Sequence, residues 1–243
     1  MMDEKDMSKE TRWYLGHMAQ KAIQAFKKNN FDAEYVADRK EALAKIIERI
    51  PAGATIGCGD SVTLHQIGFI EWLKSVKDRE LFNPFSIQSS DFPGDWIKFR
   101  TERFKLQQRA LTANVFVTGT NAITVDGKLV NIDGHGNRVA GMIFGPNKVI
   151  VVSGANKIAE NVDEAIKRIH EYAAPINNRR HLDKHGFAAF EKLPCVATGM
   201  CSYCHSENKT CRITTIIDGW QPISHCPTEY QPTIIIIGES SGI

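Results

Sequence analysis

An α/β fold on a largely parallel sheet flanked by helices is what this sequence predicts, and three observations carry it. Short apolar runs, "ATIGC", "ANVFVTG" and "NKVIVVSG", stand between amphipathic stretches long enough to be helices, the alternation that builds parallel sheets. Two of these runs end in glycine and small polar residues that feed the next element, as the strand exits of a βαβ unit do. The chain of 243 residues is 42% hydrophobic and 24% charged, ordinary values for one buried core, so a single domain over 1–243 is expected.

Each element follows from its own pattern. From Met7 to Asn30, Trp13, Leu15, Met18, Ala22, Ile23 and Phe26 fall near one face at helical spacing, which with "AEYVAD" as a short strand makes 1–36 a helical lead-in. "RKEALAKIIERI" is a second amphipathic helix stopped at Pro51. "ATIGCGDSVTLHQIGFIEWLKS" reads as strand, small-residue turn and a helix starting near Ser61 or Val62. Between Leu81 and Gly94 the period is lost, and Asp95 to Leu111 returns to helix. "ANVFVTGTNAITVDGKLVNIDGHG" is a buried strand followed by two short strands, a small extra β element joined at Asp126-Gly127, a dipeptide suited to a hairpin. After "NKVIVVSG" comes the helix "NVDEAIKRIHEYAAP", which Asn161 can cap. The tail, 194–243, carries cysteines between loops and returns to the sheet through "CRITTIIDG" and "PTIIIIGES".

Charge and composition narrow the function classes. Thirty basic residues against 28 acidic ones give a net charge of +2 without a basic stripe, so nucleic acid is not the expected partner. No apolar run approaches the roughly 20 residues that span a bilayer, and "MMDEKDMSKETRW" lacks the basic-then-apolar order of a secretory signal. A cytoplasmic location is expected, with no membrane partner.

Three polar stretches are candidate binding sites. Gly57, Gly59, Asp60 and Ser61 form a strand-to-helix turn whose backbone N–H groups suit an anion, although Asp60 or Ser61 can equally be a plain helix cap. Gly119, Thr120 and Asn121 make a second strand exit, and ligands of open α/β sheets collect outside such exits. Asp133-Gly134-His135-Gly136-Asn137-Arg138 is the densest constellation: Asp133, His135 and Arg138 offer a carboxylate, an imidazole and a fixed cation for acid–base work on an anion. Its alternative is a glycine-rich turn in which Asp133 caps backbone and Arg138 pairs at the surface.

Four of the six cysteines fall within "PCVATGMCSYCHSENKTC", Pro194 to Cys211. Cys195, Cys201, Cys204 and Cys211 suit tetrahedral zinc or an iron–sulfur cluster, with His205, His225 and Cys226 as substitutes. Small apolar packing and a Cys201/Cys204 dithiol switch remain alternatives. Cys58, in the glycine turn, reads as a small filler, and the scattered His17, His65, His170, His181 and His185 show no ligand spacing.

Together "GCGDSVTLHQIG", "GTNAITVDGKLVNIDGHGNRVAGMIFGPNKVIVVSGANKI" and "CVATGMCSYCHSENKTCRITTIIDG" resemble the LUD-domain family of lactate-utilization protein C, over nearly the whole chain. The resemblance implies a Rossmann-like α/β core with an additional small β element, a fold like that of the NagB/RpiA/CoA transferase-like superfamily, which holds ribose-5-phosphate isomerase, glucosamine-6-phosphate deaminase and CoA transferases. It further implies a role in bacterial oxidation of L-lactate to pyruvate with iron–sulfur partner subunits, and a crevice formed by the three polar stretches. The family's tail shows three cysteines, matching Cys201, Cys204 and Cys211, with Cys195 as an extra. The expected partners are therefore a small anionic ligand, hydroxy acid or phosphate, and iron–sulfur subunits, with self-association left open. Rival expectations are a stand-alone isomerase or CoA transferase using Asp126 or Asp133 as base, and a non-catalytic iron–sulfur assembly module.

Overall fold

The computed structural model describes residues 6–84, 86–185, 188–221 and 230–243. His225 and Cys226, and the side chain of His185, lie outside that description.

Six strands pair in parallel throughout: β1 (Asp32–Val36), β2 (Ile56–Cys58), β3 (Leu81–Phe82), β4 (Val115–Gly119), β7 (Lys148–Gly154) and β10 (Thr233–Ile237), in the order β1-β10-β7-β4-β2-β3. A second sheet of β5 (Ala122–Thr124), β6 (Leu129–Asp133), β8 (Ile158–Ala159) and β9 (Ile213–Ile217) runs β8-β5-β6-β9 and contains the β5–β6 hairpin. The hairpin turns where Asp126-Gly127 stand, with Gly127 at φ 82°, a left-handed position that costs glycine least. The tail returns to the sheet at an interior position, with β10 between the edge strand β1 and β7.

β10 shows why this strand belongs in the interior. Ile234, Ile235, Ile236 and Ile237 are all fully buried, and their side chains alternate between the two faces of the sheet. Ile235 and Ile237 join Val36, Ile46 and Leu73 under α2 (Arg39–Glu48) and α4 (Phe69–Ser75), while Ile234 and Ile236 join Ala22 and Phe26 of α1 (Ser8–Lys28) on the other. A strand buried on both faces needs an unbroken apolar run, and "TIIII" supplies it.

Four local expectations needed revision. Trp13 and Tyr14 are exposed, and the buried stripe of α1 begins only at Ala19. A 21-residue helix is about 31 Å long and β1 only about 17 Å, so the first turns overhang the sheet. The helix expected from Ser61 breaks into α3 (Val62–Gln66) and α4 at Gly68, which is left-handed at φ 79°. Asn137 and Arg138 are not loop residues but open the short helix α6 (Asn137–Ile143). The helix expected to end at Pro175 instead runs on: α7 (Val162–Arg168), capped by Asn161, passes through a π turn (Ile169–Ala173) into α8 (Ala174–His185). Proline has no N–H for the preceding turn and its ring crowds the carbonyl there, a conflict the wider π turn accommodates. Three further helices complete the description: α5 (Trp96–Ala110) under β2 and β3, and the short α9 (Ala188–Glu191) and α10 (Pro194–Thr198).

Candidate functional site

Chain connections leave β2 toward β3 and β4 toward β7, in opposite directions, so the carboxyl ends of β2 and β4 flank a topological switch point. The turn after β2 and the turn after β4 meet there. A Cβ at Gly59 would lie 2.7 Å from Thr118 Oγ1 and 3.4 Å from Arg138 Cγ, so the glycine is what lets the three segments touch. Gly119 faces the Ser61 side chain in the same way. Gly57, by contrast, packs against Ala110 of α5, and the Gly59 N–H is taken by the Val117 carbonyl at 3.1 Å. Ser61 accepts from the Leu64 N–H as the cap of α3.

Arg138 ties these exits together. Its guanidinium donates to the Gly119 carbonyl (3.2 Å), to Asn131 Oδ1 (2.5 Å) and to Asn121 Oδ1 (2.8 Å), and its Nε lies 3.4 Å from Asp133 Oδ2. Thr120 and the Asn121 N–H share the Asn131 oxygen, and the Ile132 N–H reaches Asn121 Oδ1. Asn131 Nδ2 and Asp133 Oδ2 are buried without a hydrogen-bond partner among the described residues. His135 is exposed on the loop, and Asn137 begins α6 beside it. Asp126 is elsewhere, at the hairpin tip against Asn29 at the end of α1.

Two further cations belong to this site. Lys157, in the turn after β7, is 3% exposed and donates from Nζ to Thr63 Oγ1 and to the Thr120 carbonyl, each at 3.1 Å. Burial, reinforced by the positive charges of Arg168 and Arg138, brings its pKa down from 10.5 to about 7. Arg168 of α7 donates to the Asn121 carbonyl at 3.0 Å and lies over the Tyr172 ring.

On the β2 side, Arg180 of α8 pairs with Asp60 at 3.1 Å. Burial acts to raise the Asp60 pKa, yet Arg180, Lys184 and His181 together hold it below the ordinary carboxylate value. Burial and the neighbouring Arg180 and Arg103 lower Lys184, against the opposing pull of Asp60. Arg103 of α5 also senses Asp60. Arg103, Arg180 and Lys184 thus stand near Asp60, Arg138 pairs with Asp133, and Lys157 and Arg168 add two cations beside Arg138. Such a surplus of partly buried positive charge favours an anion.

The cysteine tail forms a second, adjoining site. The Arg212 N–H donates to the Asp133 carbonyl, and β9 pairs with β6 from Asp133 onward, which sets the tail beside the polar loop. Cys195, Cys201, Cys204 and Cys211 all line one cavity with His170. His205 is not among the residues lining it. Burial, with Lys209 nearby, lowers the His170 pKa, and burial raises that of Cys211. Cys58 is buried in the main core, its thiol pushed up to about 12 by burial and by Asp60.

The sequence pattern does not single out Lys157, Arg168 or Arg180, and His170 shows no ligand spacing in it. A signal for Lys157 was present: "VVSGANK" repeats the pattern of an apolar strand followed by small polar residues seen at the other two exits. Arg168 and His170 lie on the helix the sequence predicts, but nothing local links them to the distant loops they meet, and Arg180 lies on its continuation past Pro175, which the periodicity hid.

Fold and crevice together define an open α/β protein with a cationic switch point. The chain belongs to the LUD domain family, whose model matches residues 19–229. Among solved structures, a DUF162 family protein from Deinococcus radiodurans is 13% identical over 93% of this chain and 98% of its own, with a TM-score of 0.47. Ribose 5-phosphate isomerase from Plasmodium falciparum is 16% identical over 51% of this chain and 53% of its own, TM-score 0.29. A D-ribose-5-phosphate isomerase in complex with phospho-erythronic acid is 14% identical over 50% and 53%, TM-score 0.31. All three are loose likenesses. No curated protein matches the sequence. Among the described residues no helix is long and apolar enough to cross a membrane.

Proposed function

We propose that this LUD-domain protein binds a small carboxylate, a 2-hydroxy or 2-oxo acid of the size of lactate or pyruvate, at the carboxyl edge of its parallel sheet. In that role it serves oxidation of L-lactate to pyruvate alongside iron–sulfur partner subunits. One observation carries the reading: six basic side chains against two carboxylates stand near the exits of β2, β4 and β7. The orphaned Asn131 Nδ2 adds an unused donor in the same place. Arg168, at the β4 exit where it donates to the Asn121 carbonyl, and Lys184, beside Asp60 at the β2 exit, are the residues assigned to the ligand. The proposed roles of Asp133 and His135 in proton transfer rest on their place on the rim of this crevice.

Thermal unfolding with L-lactate, pyruvate, ribose 5-phosphate or inorganic phosphate tests this. A bound acid at 100 times its Kd adds about 2.7 kcal/mol, a rise of roughly 5–10 °C for a chain of this size. The rise should shrink in Arg168→Met and in Lys184→Met. A response to ribose 5-phosphate alone would move the assignment to a sugar-phosphate enzyme. If no anion raises the midpoint, the anion site is lost.

A further inference from the structure

The cysteine cavity is not used by the reading above, and it has a chemistry of its own. It encloses about 70 Å³ beside the π turn, α8 and the loop after α10, and its wall includes Cys195, Cys201, Cys204, Cys211, His170 and Asn178. Three separate segments bring these groups together. The π turn presents His170. The turn at Cys201-Ser202-Tyr203-Cys204 folds over it, with Tyr203 left-handed at φ 51° and its ring packed on the imidazole at 4.8 Å between centroids. The approach to β9 supplies Cys211, anchored next door where Thr210 Oγ1 donates to Asn178 Oδ1 at 2.6 Å.

We propose that Cys201, Cys204, Cys211 and His170 form a binding site for one thiophilic divalent cation of the zinc class. Cys201 Sγ lies 3.8 Å from His170 Nδ1. A tetrahedral ion with metal–sulfur and metal–nitrogen bonds of about 2.3 and 2.1 Å separates the two donors by about 3.6 Å, so this pair already stands at the required distance. The Tyr203 N–H donates to Cys201 Sγ at 3.4 Å, a hydrogen bond that favours a thiolate. Cys211 lies within electrostatic reach of Cys201 and Cys204. Cys195 lines the same cavity, but its sulfur already accepts from Asn178 Nδ2 at 3.5 Å.

The donors are open as they stand: among the described residues no group of three or more His, Cys, Asp and Glu is gathered for an ion. An ion held here would have to draw Cys204 and Cys211 in toward Cys201 and His170. The cavity has room for a few water molecules, which suits a single ion and is small for a four-iron cluster. Metal at this place would lock the tail onto β6 and the polar loop at Asp133, because the same segment continues into the β9–β6 pairing.

The full chain, purified under reducing conditions and stripped of metal, is titrated with Zn²⁺ against a chromophoric chelator and with Co²⁺ by absorption spectroscopy. One equivalent of each is expected, the Co²⁺ form showing tetrahedral d–d bands and thiolate charge transfer. Disturbing the hydrogen bonds around metal ligands typically costs 10- to 100-fold in affinity, so Cys201→Ser, Cys204→Ser and Cys211→Ser should each weaken Zn²⁺ by at least about 100-fold. His170→Ala should weaken it too, with Cys58→Ser unchanged. An octahedral Co²⁺ spectrum or no uptake by the wild-type chain overturns the proposal whether or not the variants fold. Iron with stoichiometric sulfide overturns it in favour of a cluster, and a loss in Cys195→Ser equal to that in Cys201→Ser overturns the ligand assignment.

Discussion

Replacing Lys157 with Met should make this protein more stable in mild acid and remove a slope from its stability at alkaline pH. In the native state the ammonium is buried, has Arg138 and Arg168 as its charged neighbours, and titrates near 7 in place of 10.5. A base whose pKa is depressed on folding binds fewer protons when folded than when unfolded between those two values, so native stability climbs as pH rises from about 7 to 10.5. The full displacement corresponds to a penalty on the order of 5 kcal/mol below pH 7, accumulating at about 1.4 kcal/mol per pH unit through that window. Met keeps the apolar stem and removes the charge. It also withdraws the donor from the Thr120 carbonyl and Thr63 Oγ1, which costs about 1–3 kcal/mol. The net expectation is a variant more stable than wild type by roughly 2–4 kcal/mol at pH 6 and less stable by about 1–3 kcal/mol at pH 10.5. Urea unfolding of both proteins at half-unit steps of pH measures this, and the difference between them cancels other titrations. Parallel stability curves would refute the account of Lys157 as a charge held without a counter-ion.

Cys58 acts in the opposite sense. Its thiol is raised from 9.0 to about 12, so it contributes stability that is fully present below pH 9 and declines as pH rises toward 12; Cys58→Ala should flatten that alkaline decline in the same urea series. Ile235→Ala should destabilise by about 2–5 kcal/mol at any pH, since Ile235 is fully buried in an interior strand, and equilibrium unfolding at neutral pH checks it. Anion binding should also take up a proton: a carboxylate beside Lys157 favours its charged form, so affinity for pyruvate should weaken as pH rises from 6 to 9, which titration calorimetry in two buffers of different ionisation heat can follow.

Much of the fold was readable because strand burial leaves a strong mark. "PTIIIIGES" and "NKVIVVSG" are buried on both faces, and no other arrangement of a short run of isoleucine and valine hides both sets of side chains as well. Helix limits were less legible where two local preferences compete. Pro175 argues for a stop, yet tertiary packing carries the helix through it by a π turn, and that continuation places Arg180 against Asp60. The polar loop from Asp133 to Arg138 was found as a constellation, but its division of labour was not. Whether Arg138 faces solvent or clamps Gly119, Asn121 and Asn131 depends on contacts across 7 to 19 residues, which no local pattern records. The thiols were visible as a cluster, while His170 could not be linked to them before the π turn was known.

A crystal structure grown with pyruvate tests the central reading most directly. The account predicts a carboxylate within hydrogen-bonding distance of Arg168 or Lys184, in the hollow outside the ends of β2 and β4. An ordered pyruvate held elsewhere on the protein, or crystals soaked to saturation with no ligand in that hollow, would contradict it.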